Sequence, residues 1–186
     1  MRTRTLRVLA LALLPLVALS LAGCDEAATD DAFTFVVDNV SFTFTFQGSA
    51  IDGDAIEVSA QSSENILDDF PSGFGADDVT RVGLVDGSAQ IRLLNPVGVT
   101  IGVLDDVSLR LSAGSSSVEV ASAENIETGG SMTGEASLET TTANIAGVVT
   151  GGDFDATLDV SGDPGLPDET YRVEVFFDVE VTVPAF

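Results

Sequence analysis

The sequence predicts an all-β fold: an antiparallel β-sandwich, immunoglobulin-like or similar in layout, with about 8–10 strands and at most one or two short helices. Three observations predict it. Apolar residues recur with a period of two far more often than with a helical period. Gly, Asp and Ser punctuate these runs at short intervals, as they do in chains that reverse direction often. Of the 186 residues, 163 follow residue 23, enough to bury about two-thirds of the unfolded surface in one core.

The elements follow in order. Phe33, Phe35 and Val37 alternate, and Val40, Phe42, Phe44 and Phe46 then alternate in the opposite parity. The phase change at Asp38-Asn39 is either a two-residue turn or a bulge in one long strand. Ile56 and Val58 mark a short strand. Val82-Gly83-Leu84 and Ile91-Arg92-Leu93 flank Asp86-Gly87, which predicts a hairpin. Val97, Val99, Ile101 and Val103 alternate, as do Val107, Leu109 and Leu111. Val118-Glu119-Val120 follows, then Phe154, Ala156, Leu158 and Val160. The clearest strand is the last, where Tyr171, Val173, Val175, Phe177, Val179, Val181 and Val183 share one face. Thr141 to Val149 predicts a short helix with Ile145, Val148 and Val149 inward, and Ser63 to Phe70 predicts a second. Pro71-Ser72-Gly73 is a turn inside the longest loop-like stretch.

Composition removes whole classes of function. The chain has no His and no Lys, so His-based acid–base catalysis, His metal ligation, a P-loop lysine and a Schiff-base lysine are excluded. A formal charge of −23 argues against nucleic acid as a partner, because affinity for that backbone comes from Lys and Arg neutralising phosphates.

The first segment reads as an address. Arg2, Arg4 and Arg7 precede an apolar run from Val8 to Ala22, broken by Pro15 and Ser20. This is the pattern of a secretory signal, and its length of about fifteen residues falls short of the roughly twenty that span a membrane. The run ends in Leu21-Ala22-Gly23-Cys24, which resembles the lipobox of bacterial lipoprotein precursors. The resemblance implies cleavage before Cys24 and acylation of Cys24, palmitate among the acyl groups. Cys24 is the single cysteine, so it has no partner for an intramolecular disulfide, and lipidation needs none. Two or three acyl chains, at about 0.8 kcal/mol per buried methylene, anchor stably.

The expected organisation is therefore a signal peptide over 1–23, a lipidated tether over 24–32 and a single sandwich over 33–186. The tether is small and polar and reaches about 30 Å at most. Asp25 directly after Cys24 resembles an inner-membrane retention signal of enteric bacteria, and the acids Asp25, Glu26, Asp30 and Asp31 together resemble surface-export signals of other groups. An acid-coated domain suits saline exposure, which favours the outer membrane or cell surface over the inner membrane. The expected partner is the membrane, through the lipid on Cys24; an envelope protein partner and the oligomeric state stay open.

Without residues 1–23 the chain keeps four Arg (Arg81, Arg92, Arg110, Arg172) and all 30 acids, a formal charge of −26. Such a surface repels itself at low ionic strength, and molar salt, with a Debye length of about 3 Å, removes most of the repulsion. Lysine depletion with abundant Asp resembles the surfaces of proteins from salt-adapted bacteria, and the body as a whole resembles the small acidic β-sandwich lipoproteins of such bacteria.

Carboxylates raise calcium as a cofactor, since calcium takes oxygen ligands. Asp52, Asp54 and Glu57 form the best local cluster, and Asp153, Asp155 and Asp163 bracket a second predicted turn. Acid pairs at i, i+2 are three (Asp52/Asp54, Asp153/Asp155, Asp178/Glu180), no more than composition gives, and no EF-hand loop occurs. The expectation is that these are solvated loop acids. A pair of catalytic carboxylates is compatible with the residue types, but nothing singles one out, there is no Trp for sugar stacking, and no G-x-S-x-G occurs. The expectation is a non-catalytic structural or binding role, with a calcium-dependent adhesion module and a carboxylate-based hydrolase as alternatives. Each mature-chain Arg sits in a strand pattern and is expected to pair with acids on neighbouring strands. Phe176 shares its parity with Arg172, Glu174, Asp178 and Glu180, so it is expected on the outer face, under cover or as a contact point.

Overall fold

The computed structural model describes residues 32–51, 55–61, 70, 74–126, 134–163 and 166–184. They form a β-sandwich of two five-stranded antiparallel sheets. The first sheet contains β1 (Phe33–Gln47), β3 (Arg81–Leu84), β4 (Gln90–Asn95), β7 (Glu135–Ser137) and β10 (Thr170–Val183). The second runs in the order β2 (Ile56–Gln61), β9 (Asp155–Gly162), β5 (Leu104–Ala113), β6 (Ser116–Ala123), β8 (Glu139–Thr140).

The alternation of β10 organises the first sheet. Tyr171, Val173, Val175, Phe177, Val179, Val181 and Val183 are all buried. β1 pairs along nearly the whole of one edge, from Phe33 opposite Val183 to Gln47 opposite Thr170. The phase change at Asp38-Asn39 is a bulge: Val37 faces Val179 and Val40 faces Phe177, so two residues oppose Asp178 alone. Asn39 takes φ 61, a left-handed conformation that Asn tolerates, and its N–H donates to Asp178 Oδ1 at 2.9 Å.

The other edge of β10 corrects the predicted hairpin. β3 and β4 do not pair with each other; both run antiparallel to β10, end to end, with Leu84 opposite Val179 and Gln90 opposite Phe176. Asp86-Gly87 is the tip of an outward loop, with Gly87 at φ +71. Ser88 makes the interruption tolerable. Its Oγ accepts from Asp178 N–H at 3.0 Å and donates to Val85 O at 2.8 Å, while Val85 N–H donates to Asp178 O at 2.9 Å. β10 is long enough to template two strands in series, so its pairing overrides the local turn signal.

The strand predicted over Val97–Val103 is also corrected. Pro96 offers no N–H, Gly98 takes φ +88, and Ile101–Val103 forms a 3₁₀ turn that buries Ile101 and leaves Val97 93% exposed. β5 and β6 form a hairpin with Gly114-Ser115 between the paired Ala113 and Ser116. β7 and β8 are separated by the single buried residue Leu138, where the chain passes from one sheet to the other. The predicted Thr141–Val149 helix is a single turn, α1 (Ala146–Val149), with Ile145, Val148 and Val149 buried as expected. Asn144 fastens it: its Oδ1 accepts from both Val82 N–H and Ala146 N–H at 3.0 Å. The predicted Ser63–Phe70 helix lies outside the described residues except for Phe70.

The core is aromatic at the β1–β10 seam. Phe42 meets Phe177 and Phe154, each at 6.0 Å between ring centroids, and Phe46 stacks on Tyr171 at 5.7 Å. Apart from the Tyr171 phenol, no charged or polar side chain is buried among the described residues.

Candidate functional site

With an apolar core, the chemistry-bearing side chains lie on the outer faces, and the densest group is on the second sheet. The strand registers align Glu57, Asp159, Ser108, Ser122 and Glu139 in one row across β2, β9, β5, β6 and β8. Strands spaced about 4.8 Å apart put the two ends of that row roughly 19 Å from each other. The next row contains Thr157, Arg110 and Glu119. A hollow of about 420 Å³ opens over the first row, with Ser108, Ser122 and Asp159 of that row, Asp106, Glu124 and Ser161 towards one strand end, and Glu119 in its wall.

The carboxylates here already have donors. Arg110 Nη2 lies 2.8 Å from Asp159 Oδ2, and Ser108 Oγ donates to Glu119 Oε2 at 2.9 Å. Asp106 Oδ1 accepts from Asn125 N–H at 3.0 Å. A cation entering the hollow would share these oxygens with donors that already hold them. Among the described residues no three His, Cys, Asp or Glu side chains converge as a metal cage would.

Of the residues singled out from sequence, Cys24, Asp52 and Asp54 lie outside the described residues. Glu57 is exposed on β2, directly opposite Asp159, so two like charges face each other across strands with Arg110 beside one of them. Asp153, Asp155 and Asp163 do not bracket a turn: β9 runs between Asp155 and Asp163 and carries them to opposite ends of a strand, about 25 Å apart. Asp178 and Glu180 share the outer face of the first sheet, where Asp178 serves the bulge.

The arginines divide. Arg92 on β4 pairs with Glu174 directly opposite on β10, and Arg110 pairs diagonally with Asp159, as ion pairing between strands predicts. Arg81 instead donates to Thr142 O at 3.2 Å, and Arg172 is exposed opposite Thr45 and Asn95. The cover over Phe176 is the Arg92 guanidinium, 5.2 Å from the ring centroid. Tyr171 is held in its neutral form: burial first, and the Glu169 carboxylate second, push its phenol above the ordinary value. The acids of the hollow were readable singly from period-two parity. Their convergence was not, because it needs the strand order β2-β9-β5-β6-β8.

No family model and no curated protein matches the chain. Similar solved structures include two viral ones, both at low scores. One is of infectious bursal disease virus, Gt strain, at 16% identity and a TM-score of 0.38, over 94% of this chain and 38% of that one. The other is of Desmodium yellow mottle tymovirus, at 10% identity and a TM-score of 0.26, over 83% of this chain and 90% of that one. This chain spans well under half the length of the first, and at these scores neither likeness carries an argument about its role.

Proposed function

We propose that this chain is a bacterial envelope lipoprotein: a β-sandwich held outside the cytoplasm on acyl chains at Cys24, with a non-catalytic structural or binding role at the membrane surface. The observation that carries the reading is Leu21-Ala22-Gly23-Cys24 standing directly behind the apolar run Val8–Ala22, with Cys24 the single cysteine of the chain. Supporting it, β1 starts at Phe33, immediately after the small, polar stretch that the tether occupies. The charge of −26 behind residue 23 fits a domain bathed in saline medium, and so the outer membrane or the cell surface. Metabolic labelling with palmitate tests the reading. Label should enter the wild-type chain, and Cys24→Ser should retain the precursor length and take up none. A Cys24→Ser chain labelled like the wild type rejects it.

A second reading, a calcium-dependent adhesion or binding module, rests on the abundance of outward carboxylates alone, since Asp106, Glu119 and Asp159 in the hollow already hold donors. It requires the thermal midpoint to rise with calcium in the range of about 1 mM. An unmoved midpoint rejects it.

A further inference from the structure

One end of the sandwich carries an aromatic cluster in which Phe35, Phe70 and Phe74 pack against the core and Phe33 stands half out of it. Phe33, the first residue of β1, is 49% exposed and stacks on Phe74 with ring centroids 5.9 Å apart. Phe35 meets Phe70 edge-on at 5.1 Å and Phe74 at 6.2 Å. Val36, on the other side of the same strand, is 48% exposed. Exposure alone does not single out this end, since Val97 is 93% exposed at the opposite one.

The covalent chain does. Phe33 follows Cys24 by nine residues, which reach about 30 Å when fully extended. β1 then leads away for 15 residues, roughly 45 Å of strand. A lipid anchor at Cys24 keeps the Phe33 end within about 30 Å of the bilayer, whereas the Gln47 end lies a further strand length along β1. An exposed Phe ring gains by leaving water for the boundary between headgroups and acyl chains, as Phe does on the apolar face of interfacial helices. One half-exposed ring would bind a membrane weakly by itself, but a short tether raises its effective concentration at the surface, so a weak contact becomes populated. Asp30 and Asp31 precede Phe33, and Asp77 and Asp78 follow Phe74, so this end fits zwitterionic headgroups and repels anionic ones.

We infer that the Phe33 end is the membrane-facing end of the domain, with the Phe33 ring seated among zwitterionic headgroups of the bilayer that holds the acyl chains of Cys24. The inference rests on the lipid anchoring proposed above and adds an orientation to it. The chain has no Trp, and its single Tyr is buried, so Phe33→Trp introduces a clean reporter. Val36→Trp supplies a second reporter at the same end, and Val97→Trp one at the far end. The full-length chain, processed and lipidated by its host, is reconstituted into phosphatidylcholine vesicles with brominated acyl chains, and acylation of Cys24 is verified by mass spectrometry on the same sample. Emission from Phe33→Trp and Val36→Trp should be quenched several-fold more than emission from Val97→Trp. Equal quenching at both ends, or none, with Cys24 acylated, overturns the orientation and leaves the anchoring standing. Blue-shifted emission without quenching, together with a doubled mass in detergent, means that a second copy covers the rings and equally overturns it. An unacylated Cys24 overturns both readings.

Discussion

Gly48 shows how much a single missing side chain can matter. It lies where β1 ends, buried, with its N–H donating to Glu169 O at 2.9 Å. A Cβ built there would stand 2.2 Å from Pro167 O and 2.6 Å from Tyr171 Cε2. One of those atoms is backbone, and the other belongs to a ring stacked on Phe46, so neither can step aside cheaply. Gly48→Ala is therefore expected to destabilise the domain by about 1–3 kcal/mol, as overpacking does. Gly147 in α1 is the opposite case: it is exposed, its φ is not positive, and nothing stands within 4 Å of the built Cβ. There the same substitution relieves chain entropy and is expected to stabilise by about 0.5–1 kcal/mol. Urea midpoints of the two variants check both signs. Sequence spacing does not distinguish these glycines, because what separates them is a contact with residues about 120 positions away along the chain.

At the scale of elements, Asp178 is the joint of the first sheet. Both neighbours of β10 are interrupted beside it: β1 bulges at Asp38-Asn39, and β3 gives way to β4 through Val85–Ala89. The Asp178 carboxylate serves the first interruption and its backbone the second, so one residue holds two strand breaks in register. Ser88→Ala removes the acceptor of the Asp178 N–H in a part-buried position and is expected to cost about 1–3 kcal/mol. Amide exchange should then quicken at Asp178 well before it does in the core of β10. A variant as stable as the wild type would mean that water replaces the hydroxyl. This joint also marks the boundary of what the sequence discloses. Alternation exposed β10, β1, β5 and β9, since burial on one face forces a period of two. Asp86-Gly87 pointed to a hairpin because turn chemistry is local, whereas the choice between pairing β3 with β4 and pairing both with β10 belongs to a strand about 90 residues away. β7 and β8 left no signal: across Glu135–Thr140 only Ala136 and Leu138 are apolar, too few to show a period, and their pairing comes from crossing between sheets at Leu138.

For the whole molecule, charge is the dominant variable. Behind residue 23 the sequence carries 30 acids and four arginines, and two of those arginines are in ion pairs with Glu174 and Asp159. The candidate hollow was legible only as acids facing outward, because composition states how many carboxylates there are and not which of them share a row. Glu57 opposite Asp159 makes the consequence testable at one pair. Like charges directly opposite on neighbouring strands destabilise by roughly 0.2–1 kcal/mol, and the penalty falls as salt shortens the screening length to about 3 Å in molar solution. The urea midpoint of the wild-type domain is therefore expected to rise with NaCl, most steeply at low concentration, where screening changes fastest. Glu57→Gln should be more stable than the wild type at low ionic strength, and the difference should close in molar NaCl. The variant separates screening from the general stabilisation that concentrated salts give any folded chain, since that effect moves both proteins in parallel. A flat salt response, or a Glu57→Gln advantage that persists unchanged in molar salt, would remove acid repulsion as a force on this fold and, with it, the physical case for reading the acidity as adaptation to a saline exterior.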